Sequence, residues 1–227
     1  MARAKQTKGL CIFCGQEIAK GSVSRHFSNC AKFQEAIIKS EGSKRKSETL
    51  FHLRAQAEGQ AAFWLDLEMP ASAKLKDLDH YLREIWLECC GHMSQFSYGG
   101  FGGREIGMAS SIGQAFQSAE TLTHIYDFGT ESVTLIKPVG QREGKPITKH
   151  PVTLLVRNVA PIYECQECGK PASWLCMECV IEDEAEGSLC DQHAENHPHE
   201  DYGEPIRLYN SPRMGLCGYE GPAEPPY

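Results

Sequence analysis

The sequence predicts an α+β protein in which a central α+β roll is flanked by two small cysteine-rich modules. The candidate elements in the middle of the chain follow the order ββαβββ, without the regular alternation of strand and helix that a doubly wound parallel sheet requires. Eight of the eleven cysteines lie in two short groups with histidines, one toward each end of the 227-residue chain. These two observations set the fold class.

The composition is that of a globular chain, with 41% hydrophobic and 9% aromatic residues. No run of about 18 apolar residues is present, so we expect no membrane span and no membrane partner. The polar sequence after residue 5 does not resemble a secretory signal, so we expect a cytoplasmic protein. Disulfides are disfavoured in that reducing compartment, and eleven cysteines therefore indicate metal sites or reactive thiols.

The first module, residues 1–40, contains the pattern Cys11-x2-Cys14 followed by His26-x3-Cys30. Two cysteines at this spacing fit the turn of a zinc knuckle, and residues four apart lie on one face of a helix. These four side chains can close a tetrahedral zinc site. Over about 20 residues the pattern resembles the CCHC variant of the C2H2-type zinc finger.

Basic residues are concentrated in the same region. Residues 1–49 contain ten Lys or Arg and four Glu, a net charge of +6, so the total of −7 leaves −13 for the rest of the chain. The polar segment 41–49 predicts a basic linker. This asymmetry indicates either contact with nucleic acid or a solvated, flexible basic arm. The finger helix offers Arg25, Ser28 and Lys32, few base-reading groups for a sequence-specific finger. Protein contact or a structural role is therefore at least an equal alternative.

The central block, residues 50–161, begins with a predicted hairpin. Residues 50–54 and 63–69 are candidate strands, and the second alternates apolar and polar residues with a period of two. Glu58-Gly59 predicts the turn between them. Leucines, Ile85 and Trp86 then recur at helical spacing from residue 75, with Gly91 as the expected end.

Three further strands are predicted at residues 121–126, 132–137 and 152–159, which are rich in β-branched residues. The glycine-rich segment 99–103 predicts a loop. We interpret the adjacent cysteines Cys89 and Cys90 as buried free thiols.

The central block resembles a known family. The motifs are LKDLDH at residues 75–80, Trp86, GHMSQF at 91–96 and YDFG at 126–129, with a similar tail, NSPRMGLCGY, at 210–219. Their order resembles the plasmid pRiA4b ORF-3-like family, also described as passenger proteins of insertion elements. The resemblance implies a compact α+β roll with no established catalytic activity. Family members often continue the YDFG turn with an acidic residue and a tryptophan, whereas this chain has Thr-Glu-Ser.

The C-terminal module, residues 162–200, contains eight candidate zinc ligands, enough for two tetrahedral sites. They are Cys165, Cys168, Cys176, Cys179, Cys190, His193, His197 and His199. The block resembles a B-box-type cross-brace, in which alternate ligand pairs share a metal. That resemblance implies one zinc on Cys165, Cys168, Cys190 and His193 and a second on the other four. Pro198 separates His197 from His199, so either could instead be a surface residue.

Acidic residues dominate this second module. Residues 163–204 hold twelve Asp or Glu and one base, Lys170, a net charge of −11 that would repel a phosphate backbone. We therefore expect this module to contact a protein partner or simply to cap the fold. The segment 174–179 is also similar to a ubiquitin-binding finger found in some deubiquitinases. A tail rich in proline and glycine, residues 201–227, follows.

The sequence favours a non-catalytic protein with about three zinc ions that binds nucleic acid or protein, of plasmid or mobile-element type. Ligand sets made only of cysteine and histidine leave no open coordination position for catalysis. The Asp-Phe-Gly at 127–129 lacks the accompanying kinase motifs, and the glycine-rich loop lacks the ending of a phosphate loop. We interpret His92 and His124, which could meet Asp127 in a pocket, as structural. The alternatives are an enzyme with a site in the central roll and a protein-interaction scaffold.

Overall fold

A nine-stranded antiparallel sheet dominates the computed structural model, which describes residues 7–199 and 201–225. A separate three-stranded sheet lies in the cysteine-rich C-terminal part. Helices accompany both sheets, so the protein is a mixed helix and strand structure, as the sequence predicts. No helix among the described residues has the length and apolar character needed to cross a membrane.

Twelve strands and six α-helices are present in the described residues. The strands are β1 (Lys8–Cys11), β2 (Glu17–Ala19), β3 (Glu48–Ala57), β4 (Trp64–Pro70), β5 (Ser94–Tyr98), β6 (Arg104–Ile106), β7 (Leu122–Tyr126), β8 (Ser132–Gly144), β9 (Thr153–Asn158), β10 (Trp174–Leu175), β11 (Ser188–Leu189) and β12 (Ile206–Arg207). The α-helices are α1 (Val23–Asn29), α2 (Ala31–Glu41), α3 (Leu75–Leu82), α4 (Ile112–Ala115), α5 (Met177–Ile181) and α6 (Asp191–Ala194). A 3-10 turn (Lys20–Ser22) precedes α1, and a π-helical turn (Arg83–Leu87) follows α3.

The large sheet has the strand order β2-β1-β9-β4-β3-β8-β7-β5-β6, so the N-terminal finger forms one end of it. Strand β1 pairs antiparallel with β9, with Gly9 opposite Asn158. A side chain at Gly9 would collide with its neighbours, because a Cβ there would lie 2.6 Å from both Trp64 and Val156. Glycine is therefore what lets the finger strand approach the sheet closely.

The predicted hairpin is confirmed, with longer strands than the sequence indicated. Strands β3 and β4 pair in a register that places Leu53 opposite Leu67 and Ala55 opposite Leu65, all fully buried. Gly59 in the connecting turn has a φ of 72°, a left-handed conformation that glycine adopts without steric cost.

The predicted central helix is confirmed, but it changes character before its end. The side chains of its apolar stripe are buried in the main core, as an amphipathic helix on a sheet requires: Leu75, Leu78, Leu82, Ile85 and Trp86. The α-helical part ends at Leu82, and the π-helical turn ends at Leu87, before Gly91.

Strand β8 runs to Gly144, well beyond the predicted end at residue 137. It continues past Pro138 because the β3–β8 register shifts between His52 and Leu53, beside that proline. A proline is tolerated in a sheet at such an irregularity, since no ladder hydrogen bond is required of it there.

Strands β5 and β6 and helix α4 were not predicted. Strand β5 carries mostly polar side chains, and β6 has only three residues. Helix α4 has four residues and begins with Ser111, whose side chain accepts a hydrogen bond from the Gln114 backbone. Elements this short present too little periodicity for a sequence pattern to reveal them.

The predicted basic linker, residues 41–49, is shorter in the structure, because α2 extends to Glu41 and β3 begins at Glu48. The connection is also tied to the loop after β8. Lys145 Nζ donates to the Glu41 and Ser43 carbonyl oxygens at 2.6 and 2.7 Å. The segment between α2 and β3 is therefore a short loop fixed by hydrogen bonds, not a free linker.

The finger shares a hydrophobic cluster with the sheet. Phe13, Phe27 and Phe33 contact one another, and Phe27 and Phe33 lie at a centroid distance of 4.6 Å. The same cluster contains buried Trp64 and Val156 from strands β4 and β9. A finger of about 30 residues buries little apolar surface by itself. Here the main sheet supplies part of its core.

Candidate metal centres

Every one of the eleven cysteines belongs to one of four groups of Cys and His side chains. Within each group, four potential ligand atoms lie within 4.8 Å of one another. The groups are Cys11, Cys14, His26 and Cys30; Cys165, Cys168, Cys190 and His193; Cys176, Cys179, His197 and His199; and Cys89, Cys90, His92 and Cys217. Cysteine and histidine together are the donor set that zinc prefers in structural sites.

The ligand-to-ligand distances can be compared with a zinc tetrahedron. Zn–S bonds of about 2.3 Å and Zn–N bonds of about 2.0–2.1 Å place two sulfurs about 3.8 Å apart. The same bonds place sulfur and nitrogen about 3.5 Å apart and two nitrogens about 3.3 Å apart. Distances near these values indicate that a group can close around one ion without rearrangement.

The N-terminal group is built by a turn and a helix, as the spacing predicts. Cys11 ends β1, Cys14 lies in the following turn, and His26 is on α1, with Cys30 directly after it. Gly15, with a φ of 72°, supplies the left-handed residue of that turn. The Cys14 sulfur lies 3.5 Å from His26 Nε2, the distance expected for two ligands of one zinc.

Burial governs the chemistry of this group. It raises the pKa of the Cys11 thiol to about 11 and lowers the pKa of His26. A buried thiolate needs a cation to offset the lost hydration, and a neutral imidazole is the form that binds metal. Burial thus makes the Cys11 thiolate costly unless a metal ion accompanies it.

The second group lies around β11 and α6. The Cys168 and Cys190 sulfurs are 3.8 Å apart, and His193 Nδ1 lies 3.3 Å from Cys165 and 3.5 Å from Cys190. These distances match the tetrahedral values for sulfur and nitrogen ligands. Burial opposes ionisation of Cys165, but backbone hydrogen bonds from residues 190 and 167 and the contact with His193 lower its pKa to about 6. These contacts favour the thiolate of Cys165, the form of cysteine that binds zinc.

The third group gathers two cysteines at α5 and both histidines of the His-Pro-His segment. His197 Nε2 and His199 Nδ1 are 3.2 Å apart, and each lies within 3.3 Å of the Cys179 sulfur. His199 Nδ1 is also 3.7 Å from the Cys176 sulfur. Both histidines thus face the cysteines across Pro198, and the surface alternative for either one does not fit.

The two C-terminal groups interleave along the chain. The first and third ligand pairs share one group, and the second and fourth share the other. This is the arrangement that the cross-brace resemblance implies. The strands β10, β11 and β12 form the small sheet of this module. The assignment of all twelve side chains as ligands stays a prediction, since the structure gives their placement alone.

The fourth group was missed by the sequence reasoning. Cys90 is exposed and Cys89 is half-buried, so the interpretation of the pair as buried free thiols is wrong. Both lie near His92 and Cys217, and the Cys90 and Cys217 sulfurs are 3.8 Å apart. The ligands come from positions 127 residues apart, so local spacing could not reveal them. The only sequence signal was the unassigned remainder of three cysteines.

The central histidines are divided between two different carboxylates. His124 is fully buried, and its Nε2 lies 2.8 Å from Asp79 Oδ1 rather than meeting Asp127. His92 Nε2 lies 3.4 Å from Asp127 Oδ2, and Arg213 holds the same oxygen at 2.5 Å. The pocket in which both histidines would meet Asp127 is therefore absent from the described structure.

Comparisons with known proteins give little information about function. No family model and no curated protein matches the chain. Among solved structures, the chain is similar to a protein of unknown function, MM3350 from Methanosarcina mazei Go1, with 15% sequence identity. The match covers 68% of this chain and 86% of that chain, with a TM-score of 0.42. No function is carried over from it.

Proposed function

We propose that the protein is a non-catalytic zinc protein that contacts nucleic acid through the basic surface of its N-terminal finger. The observation that carries the metal part of the proposal is that the described cysteines assemble into complete four-donor Cys and His sets. Thiolate and imidazole donors at tetrahedral spacing favour zinc over harder cations such as Mg²⁺ or Ca²⁺.

The closed ligand sets support a structural rather than a catalytic metal. A catalytic zinc needs an open position for water or substrate, and four protein donors leave none. Each of the three groups predicted from sequence contains two buried cysteines beside its histidines. We therefore propose that these ions hold the finger and the C-terminal module in shape.

The basic surface supports a nucleic-acid partner. Arg25, Lys39, Lys44 and Lys46 are all exposed, and they follow one another along α1, α2 and the connection after α2. They are unlike Lys8, which is engaged with Glu17 at 3.2 Å, and Lys32, which lies 2.9 Å from Glu35. Unpaired exposed cations are the groups that release counterions on binding a phosphate backbone.

The position of the finger in the sheet favours backbone contact over base reading. Its strands are tied to β9, and its helix α1 buries Val23 and Phe27 against the sheet, so only one face is free. On that face the Ser28 hydroxyl already donates to the Ser24 carbonyl oxygen. We therefore propose binding that depends on charge and salt, with little sequence preference.

A second candidate partner is a protein bound at the C-terminal module. The observation that favours it is the charge of residues 163–204, twelve acidic groups against one base. Exposed Val180 and Ile181 lie beside these acids, and an apolar contact with a charged rim is typical of a protein interface. On the sequence resemblance alone, we also propose that the central block is of the pRiA4b ORF-3-like, mobile-element type.

The nucleic-acid proposal is tested by fluorescence anisotropy with a labelled duplex and a labelled single strand over a series of salt concentrations. The triple variant Arg25→Gln, Lys39→Gln, Lys44→Gln removes three exposed cations of the finger surface. We expect weaker binding and a log–log salt slope smaller by about 3, since each phosphate contact contributes about one unit.

The matched control removes the same charge elsewhere. Lys76, Lys137 and Lys149 are exposed lysines of the central block, and their triple replacement by Gln should leave the salt slope almost unchanged. Equal losses in the two triple variants, or no binding by the parent protein at low salt, would contradict the proposal. In the latter case the acidic module becomes the leading binding surface.

A further inference from the structure

We propose that Cys89, Cys90, His92 and Cys217 bind a fourth zinc ion, which fastens the C-terminal tail to the central sheet. This inference goes beyond the proposed function, because it concerns a site outside both zinc modules and does not depend on a nucleic-acid partner. It also explains the three cysteines that neither module uses.

The four donor atoms have the spacing of a tetrahedral site. The Cys90 sulfur lies 3.9 Å from Cys89, 3.8 Å from Cys217 and 3.1 Å from His92 Nε2. His92 Nε2 is 3.2 Å from the Cys217 sulfur. Two sulfur ligands of one zinc stand about 3.8 Å apart, so the sulfur distances already match an occupied site.

Two separate segments, residues 89–92 and the tail at Cys217, bring these donors together. Cys89 and Cys90 follow the π-helical turn, and Gly91, with a φ of 84°, reverses the chain toward His92. Cys217 itself has a φ of 50°, an uncommon conformation for a residue with a side chain. Such strain persists only where the surroundings fix it, and it is concentrated at functional sites.

The charge around the group suits three thiolates and one metal ion. Zinc with three thiolates and a neutral imidazole carries one net negative charge. The Arg213 side chain is fully buried, and its Nη2 approaches the Cys89 sulfur at 3.5 Å and Asp127 Oδ2 at 2.5 Å. The Tyr126 hydroxyl lies 3.6 Å from the same sulfur. These outer contacts orient the ligand, as outer-shell groups do in metal sites, and the Arg213 charge is shared between the Cys89 sulfur and Asp127.

Paired thiols alone account less well for the arrangement. A disulfide between Cys90 and Cys217 would not involve Cys89 and His92, although all four donor atoms lie within 4.8 Å of one another. A single metal ion uses all four donors at once.

The tail has other anchors, so loss of this zinc should not unfold the protein. The Ser211 hydroxyl donates to the Trp86 carbonyl oxygen at 2.6 Å, and the Ala223 amide donates to the Glu84 carbonyl oxygen at 2.8 Å. Tyr219, two residues after Cys217, is buried. Cys90 and Cys217 are both exposed, so we expect this zinc to leave first when a chelator is added.

The test counts zinc per chain by elemental analysis of protein purified with reductant and without chelator. The parent protein should hold four zinc ions, and the variants His92→Gln and Cys217→Ser should each hold three. The double variant should also hold three, because both side chains serve one ion. His80→Gln is the matched control, since His80 is an exposed histidine outside every group, and it should keep four.

Several results would overturn the proposal. Three zinc ions in the parent protein, an unchanged count in either single variant, or the loss of two ions in the double variant would each do so. If a variant does not fold, the parent protein loaded with Co²⁺ decides the question. Its thiolate-to-cobalt absorption should correspond to eleven thiolate ligands, and absorption from only eight would reject the fourth site.

Discussion

At the scale of single residues, the fold depends on charges buried between the finger and the sheet. Arg54 donates to both oxygens of Asp66 at 2.7 and 2.8 Å, and the Asp66 side chain has no exposure. His52 Nε2 lies 3.1 Å from the same carboxylate. Burial alone would raise the pKa of Asp66, but the contacts with Arg54 and His52 outweigh it and lower the pKa.

This pair leads to a prediction about stability and pH. We expect Arg54→Met to lower the free energy of unfolding at pH 7 by about 3–5 kcal/mol, because the Asp66 charge would stay buried without its partner. In the parent protein the contribution of Asp66 is present above the ordinary carboxyl pKa and is lost as pH falls through the lowered value. In the variant, burial without the arginine raises the pKa of Asp66, so the carboxylate takes up a proton more readily as the pH falls. The loss in free energy of unfolding relative to the parent protein should therefore be smaller at pH 5 than at pH 7.

Urea denaturation at the two pH values measures both effects. The double variant Arg54→Met, Asp66→Leu serves as the control, since removing both charges should recover most of the lost stability. If the double variant is as unstable as Arg54→Met at pH 7, the loss of stability comes from the lost packing of the arginine side chain. The unpaired Asp66 charge would then not be its cause.

Individual side chains also show where sequence reasoning succeeds. The candidate ligands of the finger are close in sequence, so their spacing places them in one group, and the cross-brace resemblance implies the same two C-terminal groups that lie together in the structure. Cys217 and Cys90 are brought together by the tertiary fold, and nothing in their local sequence indicates the other. The same applies to Arg213, whose burial against Asp127 depends on the path of the tail.

At the scale of elements, the contact between β1 and β9 decides how the finger is held. Gly9 lies where β1 crosses Trp64, and an added methyl group would overlap both that ring and Val156. The backbone of Arg157 is also within 2.9 Å of that position. The close approach of strand β1 to the sheet thus depends on the absence of a side chain at Gly9.

We expect Gly9→Ala to destabilise the protein by about 1–3 kcal/mol, because overpacking forces neighbouring side chains or the strand to move. Chemical denaturation of the variant beside the parent protein measures this loss. Gly107→Ala is the matched control, since no heavy atom lies within 4 Å of its added Cβ, and its change should stay within about 0.5 kcal/mol. Similar losses in both variants would contradict the close-approach argument.

The predicted elements with strong periodicity are the ones that the structure reproduces. The β3–β4 hairpin and the buried stripe of α3 were read correctly, because many apolar positions agree on one period. The π-helical turn and the continuation of β8 past Pro138 were not predicted. The widened turn depends on packing, and the register shift beside Pro138 depends on the neighbouring strand. Local sequence does not encode those neighbours.

At the scale of the whole molecule, apolar burial and metal ligands are divided between regions. The main cluster between the sheet and α3 contains leucines, Trp86 and Phe96 and has no metal ligand among its buried members. The C-terminal cluster consists of four cysteines and Leu189. The first region can fold on apolar burial, whereas the second has so small a core that we expect it to need a metal ion to fold.

This division predicts a local response to loss of one ligand. Cys168→Ser should release one zinc ion per chain and remove hydrogen-exchange protection from the strands β10, β11 and β12. The strands β3, β4 and β8 should keep their protection, because their core does not include that site. Elemental analysis and hydrogen exchange read by mass spectrometry measure the two effects, and an unchanged zinc content would contradict the assignment of Cys168.

The two ends of the large sheet are formed by its shortest strands, β2 and β6, each of three residues. A free sheet edge exposes unpaired amides and carbonyls that can recruit a strand from another chain, and the length of the edge limits how many bonds such a strand can make. Here each edge offers only a few positions, and Glu17 and Glu105 add charge to them. The architecture thereby resists edge-to-edge aggregation even though the sheet does not close into a barrel.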